Sequence, residues 1–141
     1  FMPGSFRRFA LDYDGDGSRD LYGSPVDAVG SVANFLKAHG WEAGQPVAAQ
    51  AQVSGGSFRI LVEAGIKPIY RISDLPVYGV GVAEPFPPDA GCALVELETP
   101  GEAPEYWIGL QNFYALTRYN RSSFYAIAVV ELAREIALAA P

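Results

Sequence analysis

The stretch LDYDGDGSRDLYGSPVD, Leu11–Asp27, places five aspartates within seventeen residues. Asp12, Asp14, Asp16 and Gly17 fit the opening of a calcium loop, D-x-D-x-D-G. Alternate carboxylates in a tight turn can converge on one hard cation, and a glycine at the sixth position permits the sharp bend. In this register Ser18 is seventh and would offer its backbone carbonyl. Asp20 is ninth and could ligate directly or through water. The pattern breaks at the twelfth position, where a bidentate glutamate belongs and the chain has Gly23. Asp27 lies four residues further on, in the first turn of the next predicted helix, and a longer loop would bring it back to close the cage. The spacing predicts metal binding; the simpler reading is a solvated acidic turn in which Asp27 only caps a helix. Many oxygen ligands in a flexible loop favour calcium over magnesium. A fixed structural ion is expected rather than a sensor, because Met2 is the sole methionine and sensor grooves are rich in that residue.

A second stretch has the composition of a sugar cleft. YWIGLQNFYALTRYNRSSFY, Tyr106–Tyr125, holds seven aromatics interleaved with Gln111, Asn112, Arg118 and Asn120. Flat rings suit sugar faces and amides suit hydroxyls. Phe113 and Phe124 are expected in the core, whereas Tyr119 and Asn120, just before a helix cap, are candidates for binding. Other groups carry less. His39, the only histidine, sits at a predicted helix end, where capping explains it. Cys92, the only cysteine, lies in an apolar run that reads as buried and inert; it excludes an internal disulfide. Glu96, Glu98, Glu102 and Glu105 flank a turn and read as solvated rather than as a catalytic pair.

The elements that must position these residues follow from pattern. PGSFRRFAL reads as a short helix with Phe6 and Phe9 on one side. SPVDAVGSVANFLKAHG reads as a helix with Ser24 as N-cap, Pro25 at the first position and Asp27 completing a capping box. Val29, Val32, Phe35 and Leu36 give it an apolar stripe, and Gly40 ends it in a left-handed turn. From about residue 41 to 110 the chain turns β-prone, with QPVAAQAQV, FRILVEAG and CALVELE as strand candidates. CALVELE, the turn TPGEAPE and YWIGL predict a hairpin, and LPVYGVGVAEPFPPDAG a loop or edge strand. QNFYALTRYN predicts a short helix capped by Asn112, and residues 122–140 a last helix capped by Ser122. The expected class is α+β, with a small β region between helices.

Bulk properties set limits. With 50% hydrophobic and 18% charged residues, the 141-residue chain can build a real core. A net charge of −6 excludes nucleic acid as a partner and a polybasic membrane patch. No apolar run approaches the ~20 residues that span a bilayer. FMPGSFRRFAL, opening on Phe1, reads as the interior of a longer polypeptide.

Two blocks, FMPGSFRRFALDYDGDGSRDLYGSPVDAVGSVANFLKAHGW and YWIGLQNFYALTRYNRSSFYAIAVVEL, cover about half the chain. Through F-M-P, D-G-D-G and N-F-x-x-x-T-R-Y-N-x-S they resemble the membrane-bound lytic murein transglycosylase B family, glycoside hydrolase family 103. The resemblance implies a mainly helical, lysozyme-like catalytic core of which residues 1–141 are the C-terminal part. It implies cleavage of the MurNAc-β-1,4-GlcNAc bond of peptidoglycan without water, leaving 1,6-anhydro-MurNAc ends. A single glutamate then protonates the glycosidic oxygen and afterwards acts as base toward the sugar's 6-hydroxyl. In the family that glutamate precedes F-M-P, as does a substrate-contacting glutamine, so no catalytic residue is expected in this chain. Phe1, Tyr119, Asn120 and Tyr125 match positions that line the sugar site. Phe35 matches a position held by tyrosine in a well-known member, so one hydroxyl is absent. The family carries an EF-hand-like calcium loop at residues 12–27, with Asp12, Asp14, Asp16, Ser18 and Asp27 matching its ligands.

The implied partners are peptidoglycan glycan strands, the implied state is monomeric, and the implied location is periplasmic or outer-membrane-associated in a Gram-negative bacterium. Two other readings remain at this stage: a non-catalytic, calcium-stabilised glycan-binding module, and a calcium sensor with an exposed apolar groove.

Overall fold

A computed structural model describes residues 2–140. The chain divides into two compact units, Phe1–Trp41 and Glu42–Pro141.

The first unit is two helices joined by the aspartate loop. Helix α1 is Pro3–Phe9 and helix α2 is Pro25–Ala38. Ser24 caps α2 as expected, accepting from the Asp27 backbone N–H at 3.2 Å. The other half of the capping box does not form, because the Asp27 side chain turns into the loop instead. The apolar stripe is also displaced. Val29 is 72% exposed, and the buried positions of α2 are Asp27, Gly30, Ser31 and Phe35. This face is small and polar because the loop backbone lies on it. Ser31 Oγ accepts from the Leu11 N–H at 2.8 Å, and an added Cβ at Gly30 would overlap the Tyr13 ring. Phe9 packs edge-on against Phe35, with centroids 5.1 Å apart. His39 closes the helix as expected, its Nδ1 2.8 Å from the Phe35 carbonyl, and Gly40 follows at φ 92°.

The second unit is built on a five-stranded antiparallel sheet. Its strands are β1 (Ala48–Val53), β2 (Tyr70–Arg71), β3 (Val80–Val82), β4 (Gly91–Leu97) and β5 (Glu105–Gly109), in the order β2-β4-β5-β1-β3. The predicted hairpin is present, with Leu94 opposite Ile108 and Leu97 opposite Glu105. The proline-rich stretch forms a 3-10 helix, Ile72–Tyr78, and then edge strand β3. FRILVEAG is not a strand. Phe58–Glu63 is helix α3, which buries Leu61. A short apolar run does not distinguish the two periods by itself.

Helices α4 (Gln111–Tyr119) and α5 (Ser123–Ala139) complete the unit. Ser122 caps α5, accepting from the Tyr125 N–H at 3.2 Å. Asn112 does not cap α4. It lies inside the helix, fully buried, and clamps the 42–45 turn. Its Oδ1 accepts from the Glu42 N–H at 2.7 Å, and its Nδ2 donates to the carbonyls of Glu42 (2.8 Å) and Gln45 (3.0 Å). The core joins Trp107, Phe113, Val95, Leu97, Ala126 and Ile127. Gly109 admits Phe113, since a Cβ there would stand 2.6 Å from its ring. Phe124, expected in this core, is 55% exposed; Ala126 and Ile127 take the buried places on α5.

Candidate functional site

The aspartate loop closes on Asp27. One carboxylate oxygen from each of Asp12, Asp14, Asp16 and Asp27 lies within 4.8 Å of the others. Two oxygens on one calcium, each at about 2.3–2.6 Å, stand no more than about twice that apart, so the four fit a shared ion. Gly15 and Gly17 hold φ 78° and 91°, which makes the turn tight enough for the convergence.

Backbone amides aim the carboxylates. Asp12 accepts from Gly15 (2.8 Å), Asp16 (3.1 Å) and Gly17 (2.7 Å). Asp16 accepts from Ser18 at 2.8 Å, and Asp14 accepts from the Ser24 hydroxyl at 2.8 Å. Asp27 is fully buried and is the hub. Its Oδ1 accepts from Tyr13 (2.7 Å) and Asp14 (3.2 Å), and its Oδ2 from Asp20 (2.9 Å). The Asp20 amide first, then those of Tyr13 and Asp14, outweigh desolvation and hold the Asp27 carboxyl below the usual range.

Asp20 does not join the four. Its Oδ1 accepts from the amides of Tyr22 (3.1 Å) and Gly23 (2.8 Å), forming a local turn. That turn explains Gly23, because a Cβ there would collide with the Asp20 carboxylate. The glycine at the twelfth position leaves room for the Asp20 carboxylate to make that turn. Ser18 sits in the loop, with its amide spent on Asp16.

The residues matched to the sugar site are distributed as follows. Phe1 lies outside the described residues. Phe35 is buried in the first unit and stacks on the His39 ring at 4.0 Å between centroids. In the second unit, Tyr119 ends α4 and is 36% exposed, while Tyr125, in the first turn of α5, is 41% exposed. Between them, Asn120 Oδ1 accepts from the Ser122 N–H at 3.0 Å and fixes the corner that presents both rings.

The glutamates do not all behave as solvated side chains. The Glu96 side chain is 11% exposed; it pairs with Arg59 at 2.9 Å and accepts from the Tyr106 hydroxyl at 2.8 Å. Arg59 first, and then Tyr106, lowers the Glu96 pKa. The cross-strand pairing of positions 96 and 106 was implicit in the hairpin register. The position of Arg59 on a helix was not.

The model of the transglycosylase SLT domain matches residues 1–134. The chain belongs to this family. It is 42% identical over 139 residues to membrane-bound lytic murein transglycosylase B of Escherichia coli strain K12, covering 99% of this chain and 37% of that protein. The fold matches lytic transglycosylase Slt35 of Escherichia coli, solved in complex with calcium, at 40% identity and TM-score 0.78; 99% of this chain covers 43% of that one. It also matches SltB3 of Pseudomonas aeruginosa, solved in complex with NAG-anhNAM-pentapeptide, at 34% identity and TM-score 0.75; 92% of this chain covers 35% of that one. The chain thus spans little more than a third of the curated relative's length. Among the described residues, no helix is long and apolar enough to cross a membrane.

Proposed function

We propose that the chain is the C-terminal part of the lysozyme-like catalytic domain of a peptidoglycan lytic transglycosylase. It works in the periplasm or at the outer membrane and cleaves the MurNAc-β-1,4-GlcNAc bond to leave 1,6-anhydro-MurNAc ends. The observation that carries this reading is the family match across residues 1–134, which includes both the aspartate loop and the α4–α5 corner. Tyr119, Asn120 and Tyr125 present two half-exposed rings and an amide to the glycan. Phe1 is assigned a further contact with the sugar; Phe35, expected beside it, is 5% exposed against Phe9 and His39 and is left out of the contact set.

The general acid is assigned to a part of the protein outside these residues. A proton donor to a leaving oxygen needs a raised carboxyl pKa. Asp27 and Glu96 are shifted the other way, which suits neither to that role. The residues present fit a calcium ion held by Asp12, Asp14, Asp16 and Asp27, with the Ser18 carbonyl as a further ligand, in an EF-hand-like loop. Bound there, calcium would offset half of the negative charge of the four gathered carboxylates and brace α1 against α2; it takes no part in bond cleavage.

The test is to incubate the full-length protein with purified peptidoglycan sacculi and analyse the released fragments by mass spectrometry. Fragments ending in 1,6-anhydro-MurNAc support the reading. Reducing ends alone, or no release, would refute it; strand binding without release would favour the non-catalytic glycan-binding module.

A further inference from the structure

The second unit has an open cleft of about 420 Å³, lined by Glu42, Gln45, Pro46, Pro68, Phe86, Pro87 and Asp89, among others. None of the residues assigned to the glycan lies in it. Both walls are fixed by hydrogen bonds to their backbone. On one side Asn112 clamps the Glu42–Gln45 turn. On the other, the 87–90 turn closes through the Ala90 N–H to the Pro87 carbonyl (3.0 Å), and it is tied to the 3-10 helix by Ser73 to Pro88 (2.9 Å) and Ile72 to Ala90 (3.1 Å). A cleft with fixed walls binds without first ordering loops.

Its charge is one-sided. Two carboxylates, Glu42 and Asp89, line the cleft, and no lysine, arginine or histidine does. Neither carboxylate takes part in a salt bridge among the described residues, where the ion pairs are Arg59–Glu96 and Arg134–Glu84. The rest of the lining is the Phe86 ring, three prolines, Ala90, Gly91, Leu110 and the amides of Gln45 and Gln111. This combination suits a cationic group on an apolar stem. The carboxylates take the charge, and the ring and proline faces take the methylenes. A neutral sugar would leave both charges uncompensated.

We propose that this cleft takes the side-chain ammonium of a peptide, here the stem peptide carried by the glycan. The source of the ammonium rests on the transglycosylase reading above; the cleft's preference for an ammonium does not. The site gives the protein a contact with the peptide that is separate from its contact with the sugar, so strands bearing free ammonium groups are held better than bare ones.

The test uses the full-length protein and two soluble probes: a disaccharide-peptide with a free side-chain ammonium, and the same molecule N-acetylated at that nitrogen. Calorimetric titration measures both against the wild type and the double variant Glu42→Gln, Asp89→Asn. Two exposed charge contacts predict about tenfold weaker binding on acetylation, and the same loss for the free probe in the double variant. Circular dichroism checks that the variant is folded; Phe86→Leu, which keeps both charges, should retain the preference for the free ammonium. Equal binding of the two probes to the wild type, or an unchanged preference in the double variant, would overturn the proposal. Cleavage of peptide-free glycan by the same preparations is scored separately. Its absence in the wild type counts against the transglycosylase reading, and the ammonium preference is still decided by titration.

Discussion

The two units solve the problem of a stable interior in different ways. In Phe1–Trp41 the most deeply buried side chains include a carboxylate and a hydroxyl, Asp27 and Ser31, and the surrounding backbone donates to them. In Glu42–Pro141 the interior is Trp107, Phe113, Leu94 and Ile108 against a sheet. The polar hub on Asp27 ties the loop to α2, and the calcium proposed above would brace it further. On the proposed reading the aspartates, the most conspicuous residues in the sequence, serve architecture. Of the residues proposed to meet the glycan, Tyr119, Asn120 and Tyr125 stand at the α4–α5 corner of the unit that has the apolar core.

Phe113→Ala offers the largest test of this contrast. It removes a fully buried ring from the second unit and should destabilise that unit by about 3–5 kcal/mol, read by urea unfolding followed by tryptophan fluorescence. Calcium affinity should stay unchanged; a parallel loss would mean that the units are not independent in this respect. Next comes Asp27→Asn, which keeps the size of the hub but removes its charge. Calcium affinity measured by calorimetry should fall about 100-fold, with urea unfolding of the second unit unaffected. An unchanged affinity would reduce the loop to a solvated turn.

The smallest effect is on pH dependence without metal. The folded-state pKa values of Asp27 and Glu96 lie below their ordinary 3.8 and 4.5. On acidification the unfolded chain therefore takes up protons first. The stability these groups contribute is fully present above their ordinary values and is lost as pH falls through the lower, folded ones. Thermal unfolding between pH 6 and pH 3, both values taken as about one to two units either side of the ordinary carboxylate range, should show a falling midpoint. Asp27→Asn should weaken that dependence in the first unit, and Glu96→Gln in the second.

Much of this contrast was legible in the sequence. The capped ends of α2 and α5, the hairpin and the convergence of Asp12, Asp14 and Asp16 are local patterns, fixed by residues a few positions apart. Asp27 as a closing group was legible only as a possibility, because its role depends on amides of residues 13, 14 and 20. What was misread depended on distant partners. FRILVEAG is a helix because it packs on β4 and the 3-10 helix. Asn112 had the look of a cap, but it bonds to a turn about seventy residues earlier. Val29 fell on the predicted apolar stripe, yet the loop backbone occupies the opposite, polar face of α2. Glu96 read as solvated because nothing in its neighbourhood announced Arg59, thirty-seven residues away.

The most direct test of the ion-organised first unit is amide hydrogen exchange of the chain with and without calcium. Calcium should slow exchange across residues 12–27, above all at Tyr13, Asp14 and Asp20, whose amides point at Asp27. The β1, β4 and β5 amides of the second unit should exchange at the same rate in both conditions. Protection that does not respond to calcium anywhere in residues 12–27, or that rises equally in the sheet, would contradict the account.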